Sequence, residues 1–133
     1  MLPKPQPTTP LEAYRAIIDE LASETSVGVS ESLLLQSGIY SKALGEQAAN
    51  EFARSLSPEQ RGLLAKMLHS ERIDAIHDVL AVLTWWVTCR DVALTFRGQE
   101  MSLELTSGEG FHGDFIGRCE GWEWPKGDAP AQA

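Results

Sequence analysis

The chain has only two cysteines, Cys89 and Cys119, in 133 residues. Two thiols can make one disulfide, but a disulfide framework or a cysteine-built zinc site needs more. No run of Lys and Arg occurs, and the formal net charge is -8. A surface of that sign repels phosphate backbones, which argues against nucleic acid as a partner. No long apolar stretch is present: the longest, Val79 to Val87, is broken by Thr84 and is far too short to span a bilayer. The opening MLPKPQPTTP lacks the apolar core of a secretory signal. Together these absences predict a cytoplasmic protein with reduced thiols and no membrane or nucleic-acid partner.

Motifs that would name a chemistry are missing too. There is no G-x-x-x-x-G-K-[ST], no H-E-x-x-H and no G-x-S-x-G. Gly108 to Gly113 matches G-x-G-x-x-G, but a dinucleotide site needs that motif between a strand and a helix. Here it follows an expected hairpin, and Gly117, Gly121 and Pro125 argue against a helix after it. Glu109 would also oppose a phosphate. No cofactor is implied, and no internal repeat is visible.

With 43% hydrophobic and 23% charged residues, the chain is composed like an ordinary globular domain. The pattern predicts a mobile arm over 1–8, one α+β domain over 9–125 and a disordered tail over 126–133. Thr9, Pro10 and Glu12 form a helix start, followed by the apolar stripe Leu11, Tyr14, Ile18 and Leu21 to about Ser23. Glu31 to Gln36 reads as a short helix stopped by Gly38. Ser41 to Ser55 reads as a helix weakened by Gly45, with Leu44, Ala48, Phe52 and Leu56 inward. Ser57, Pro58 and Gln60 repeat the start signal for a helix running to about His69. There the apolar phase changes, and either a new helix begins at Ser70 or the same one continues with a bend.

Glu71 to Arg90 holds the most informative pattern. Its stripe is Ile73, Ile76, Leu80, Leu83 and Val87, spaced as a buried helix face requires. Asp74, His77 and Asp78 lie in its first half, with Asp74 and His77 at i, i+3. Such spacing occurs in helical-bundle metal sites, so these three are candidate metal ligands or catalytic groups. The competing reading is two solvated carboxylates and an edge-packed histidine. His112 and Asp114, in a glycine-rich segment, are a second acid/base candidate against the plainer reading of an aromatic loop.

Val92 to Leu105 predicts a hairpin. A Gly98-Gln99 turn would pair Arg97 with Glu100, Phe96 with Met101, Leu94 with Leu103 and Val92 with Leu105, placing the apolar pairs on one face. Phe115 to Glu120 or Gly121 to Trp124 could add a third strand. The fold class is therefore α+β, with four or five helices followed by a C-terminal antiparallel hairpin or three-stranded sheet.

Four tryptophans complete the reading. Trp86 lies beside the stripe and reads as core. Trp85 lies opposite the stripe, and Trp122 and Trp124 flank Glu123, so these three are candidate interface residues or members of an internal aromatic cluster. No complete catalytic set is visible. The preferred function is a non-catalytic interaction or regulatory protein, acting as a homodimer or on a protein partner. The alternative is a small-ligand or metal site, or an enzyme, built on His77, Asp74 and Asp78. Convergence of His77 with His112 would favour that alternative.

Overall fold

The computed structural model describes residues 4–23 and 28–126. Its elements are α1 (Pro10–Ser23), α2 (Val29–Ser37), α3 (Gln47–Ser55), α4 (Pro58–Cys89), β1 (Thr95–Phe96), β2 (Gln99–Glu100), a 3₁₀ turn (Leu103–Leu105) and α5 (Gly110–Cys119). The fold is α+β, as expected, but with a helix after the hairpin where a third strand was considered. The tail proposed for 126–133 lies outside the described residues beyond Lys126, and so do the first three residues of the arm.

Two compact units form. One joins the described parts of Met1–Ser23 and Ile76–Ala133; the other comes from Glu24–Ala75. Pro58–Cys89 is one continuous helix, which resolves the choice left open at Ser70, and it contributes to both units.

In the second unit, Leu34, Ala53 and Ala65 are buried with Tyr40, Leu64 and Leu68 packed around them. Gly38 ends α2 in the left-handed conformation, as its position predicts. Glu31 accepts the Gly28 N–H at 3.4 Å, half of a capping box. The expected start of the third helix is overturned. Gly45 has φ 89° and stands in a turn, α3 begins only at Gln47, and Leu44, Ala48 and Phe52 are exposed while Ala53 is fully buried. Asn50 explains the delay. Its Oδ1 accepts the N–H groups of Tyr40 and Ser41 at 2.8 and 2.9 Å, and its Nδ2 donates to the Ser41 carbonyl at 2.7 Å. The preceding loop is thereby pinned outside the helix. At the start of α4, Ser57 and Gln60 exchange hydrogen bonds at 2.9 and 3.1 Å, the capping box read from the sequence.

In the first unit, Ala13, Tyr14, Ile18, Leu80, Phe111 and Phe115 are buried, and α1 packs on α5. The start of α1 is tied by Glu12, which accepts from the Thr8 N–H and hydroxyl at 2.7 and 2.8 Å and from the Thr9 N–H at 3.3 Å. These bonds, the Thr8 N–H foremost, hold the Glu12 carboxyl below the usual carboxylate range.

The hairpin is present, but its pairing is shifted. Phe96 faces Gln99, Thr95 faces Glu100, and the Met101 N–H donates to the Leu94 carbonyl at 2.7 Å. Each partner is therefore two residues from the expected one, so the face assignments survive. The cause is the turn: Arg97 and Gly98 both take positive φ, 50° and 78°, the signature of a type I′ turn rather than the II′ turn expected from Gly98 in first place. The strands are short, because Leu103–Leu105 turns into a 3₁₀ segment capped by the Ser102 hydroxyl.

Candidate functional site

Three clusters of polar side chains sit in the first unit. The first is organised by Thr84 on α4. Its hydroxyl donates to the Leu80 carbonyl at 2.8 Å and accepts the Phe111 N–H at 3.1 Å. It thus caps the N-terminus of α5 from another helix. His112 Nδ1 lies 3.3 Å from the same oxygen. The hydroxyl has one hydrogen, already given to Leu80, so Nδ1 must carry the hydrogen and donate. Gly110 makes this approach possible. It has φ +85°, and a Cβ there would stand 2.7 Å from Thr84 Cγ2.

The rings of His77 and His112 meet edge to face, with centroids 5.2 Å apart. The sequence-predicted candidates therefore converge in part. His77 Nδ1 pairs with Asp78 Oδ1 at 3.1 Å, although the Asp78 side chain is 80% exposed. Asp74 is exposed. Among the described residues, no group of three or more His, Cys, Asp or Glu is arranged to hold a metal ion.

Asp114 is not beside His112. It is buried and anchors the second cluster. Tyr14 donates its hydroxyl to Oδ2, the Ser107 hydroxyl donates to Oδ1, and the Ser107 N–H reaches both oxygens at 3.2 and 3.1 Å. Burial first, and the Asp114 carboxylate second, push the Tyr14 hydroxyl far above its ordinary value, so it remains a donor. The Asp114 carboxylate thereby ties α1 and the Ser107 turn to α5. A cleft of about 350 Å³ opens beside it, between Ser107, Glu109, the glycine edge of α5 (Gly113, Gly117) and Trp122. Ser107, Glu109 and Asp114 line it without an imidazole, so it does not hold a Ser-His-Asp arrangement.

The third cluster was not foreseen. Asp19 accepts from Arg118 Nε at 2.6 Å and from Trp124 Nε1 at 3.0 Å, and Arg118 also donates to the Trp122 carbonyl. Arg15 and Arg118 lie 5.2 and 5.6 Å from the Trp124 ring centre. Trp122 and Trp124 do share one side of their segment, with centroids 5.2 Å apart, and Trp124 also meets Tyr14. This side of the first unit is a polar and aromatic network holding α1, α5 and the C-terminal segment together, although the buried Nε of Arg15 has no hydrogen-bond partner in it.

The side of α4 away from α5 is different. Val79, Val82, Trp85 and Trp86 are 67, 59, 47 and 47% exposed. The expectation that Trp86 is core is corrected: it continues the line of Val79 and Val82 at helical spacing, while Leu80 and Thr84 turn inward. Trp85 and Trp86 meet edge to face, and Arg90 lies 4.9 Å over Trp85. Cys89, also exposed and unpaired, extends the same surface.

A family model matches residues 7–126, and the chain belongs to that family, described as a family of unknown function (DUF6547). No curated protein and no solved structure matches the chain.

Proposed function

We propose that this member of the family is a non-catalytic interaction module whose docking surface is the outer face of α4. The observation that carries the reading is the exposure of Val79, Val82, Trp85 and Trp86 on one helix. Taking roughly 100 Å² for each, these side chains offer about 400 Å² of apolar surface, within the range of about 300–600 Å² found for the largest, often functional patch on a monomer. Aromatic residues are the commonest energetic anchors of protein interfaces. The polar clusters weigh against catalysis, since Asp114 and Asp19 are engaged by donors within the fold. Two exposed, unpaired thiols suit a reducing compartment such as the cytoplasm.

The metal or ligand reading draws its support from the contact between His77 and His112. It lacks a third donor among the described residues, so it stands second.

The test compares two substitutions on opposite sides of α4. Val82→Asp should leave helix content intact, because the side chain stands in solvent. Leu80→Asp should unfold the first unit by burying a charge. Equal loss of helix content by circular dichroism would make the outer face core and end the interaction reading.

A further inference from the structure

We infer that the occupant of this face is a second copy of the same chain, laid antiparallel along α4 with Asp78 of each copy against the partner's Arg90. The inference rests on the interaction reading above and names its partner.

Three observations support it. The first is the amount of surface. A standard interface takes about 800 Å² from each partner, a little over half of it apolar. The roughly 400 Å² estimated for the four side chains is close to that apolar share. One helix face per copy is therefore a sufficient apolar centre.

The second is charge. Asp78 is 80% exposed at one end of the patch, and Arg90 is exposed at the other. A parallel pairing would bring Asp78 against Asp78. An antiparallel pairing brings unlike charges together at both ends, because a two-fold axis repeats every contact.

The third is shape. Setting Asp78 opposite Arg90 also fixes the positions between them, since each step along one helix is a step back along the other. Val82 then faces Trp86, and Val79 faces Cys89. Large meets small at both symmetry-related places, and no tryptophan must face its own copy. The inner side of α4, with Leu80 and Thr84, stays on α5 and is not asked to move.

The experiment is sedimentation velocity of the full chain across a concentration series, at physiological salt and with reductant present to prevent Cys89 cross-linking. The wild type should run at twice the mass of one chain at tens of micromolar. Val82→Asp, or Val79→Lys should that variant misfold, should run as a monomer with unchanged helix content. Asp78→Arg and Arg90→Asp should each raise Kd about tenfold, two symmetric pairs being lost at once. The double variant, with the net charge of the wild type, should recover most of that loss. A wild-type monomer at a hundred micromolar overturns the second-copy inference. A dimer indifferent to the outer-face substitution overturns it as well, and a double variant no tighter than the singles overturns the antiparallel pairing. None of these results decides whether the face is free of the core, which the helix-content comparison decides separately.

Discussion

Thr84 caps a helix to which it does not belong: its hydroxyl oxygen accepts the Phe111 N–H of α5 at 3.1 Å while its hydrogen goes to Leu80 one turn back on α4. Thr84→Val keeps the shape and removes both bonds, together with the one from His112 Nδ1. It should cost about 1–2 kcal/mol in urea unfolding, as a lost cap and a buried unpaired N–H do, and Thr84→Ser should recover most of it.

Tyr14→Phe should cost about 1.5–3 kcal/mol, the range for a hydrogen bond to a charged acceptor. Asp114→Ala should cost more, since it strands the Tyr14 hydroxyl and the Ser107 donors together. Both are read from denaturant midpoints with the slope unchanged.

Stability should fall at alkaline pH. The Tyr14 hydroxyl is held above its ordinary value of about 10 by burial and by Asp114. Its contribution is complete below that pH. Above it the unfolded chain loses the proton and the folded chain keeps it, so stability drops by about 1.4 kcal/mol per pH unit until the folded group also ionises. Wild type and Tyr14→Phe compared between pH 9 and 11 isolate this slope, because other groups, Tyr40 included, are common to both. Parallel curves would show that Tyr14 is not the group responsible.

Gly110→Ala should be among the most damaging single-methyl additions. The new Cβ meets Thr84 Cγ2 at 2.7 Å, in backbone with φ +85°. Strain and overpacking together should cost about 2–4 kcal/mol, seen as a fall in Tm. Gly98→Ala shares the positive φ but finds open space, so it should cost only the backbone part.

In the hairpin, Phe96→Asp should destabilise more than Thr95→Asp. Phe96 is half-buried and Thr95 is exposed, an alternation that the shifted pairing preserves. Equal Tm losses would remove the face assignment.

Much of the fold was legible because its signals are local. Thr9-Pro10-Glu12, Ser57-Pro58-Gln60 and Gly38 act within one turn of helix, and all three stand where their chemistry requires. The α5 segment was misread because Gly110, Gly113 and Gly117 weaken a helix locally, whereas packing of Phe111 and Phe115 against α1 is a tertiary effect. The turn at Arg97-Gly98 is hard to read for a related reason: Arg at positive φ is locally unfavourable, so the local signal favours Gly98 in first place. The Asp114 cluster did leave a trace. A tyrosine on the apolar stripe of α1 needs a buried acceptor, and Asp114 lies between Phe111 and Phe115 on α5. What the sequence alone does not say is which acceptor, a hundred residues away, the tyrosine finds. Trp86 was placed inside because periodicity shows which residues share a face, not which of two apolar faces is covered.

The first unit is assembled from the two ends of the chain, α1 and the residues from Ile76 on, with Glu24–Ala75 as an uninterrupted stretch between them. That layout sets an order of events during synthesis. A chain emerging from its N-terminus presents α1 long before α5 (Gly110–Cys119) exists, so Tyr14 and Ile18 lack that cover until the whole intervening stretch has been made. The interposed unit has all of its own core, Leu34, Ala53 and Ala65, available much earlier. Loop closure over such a separation is slow relative to local contacts. A nascent chain stalled before Phe111 should therefore protect the middle stretch from protease while leaving the first helix cleavable.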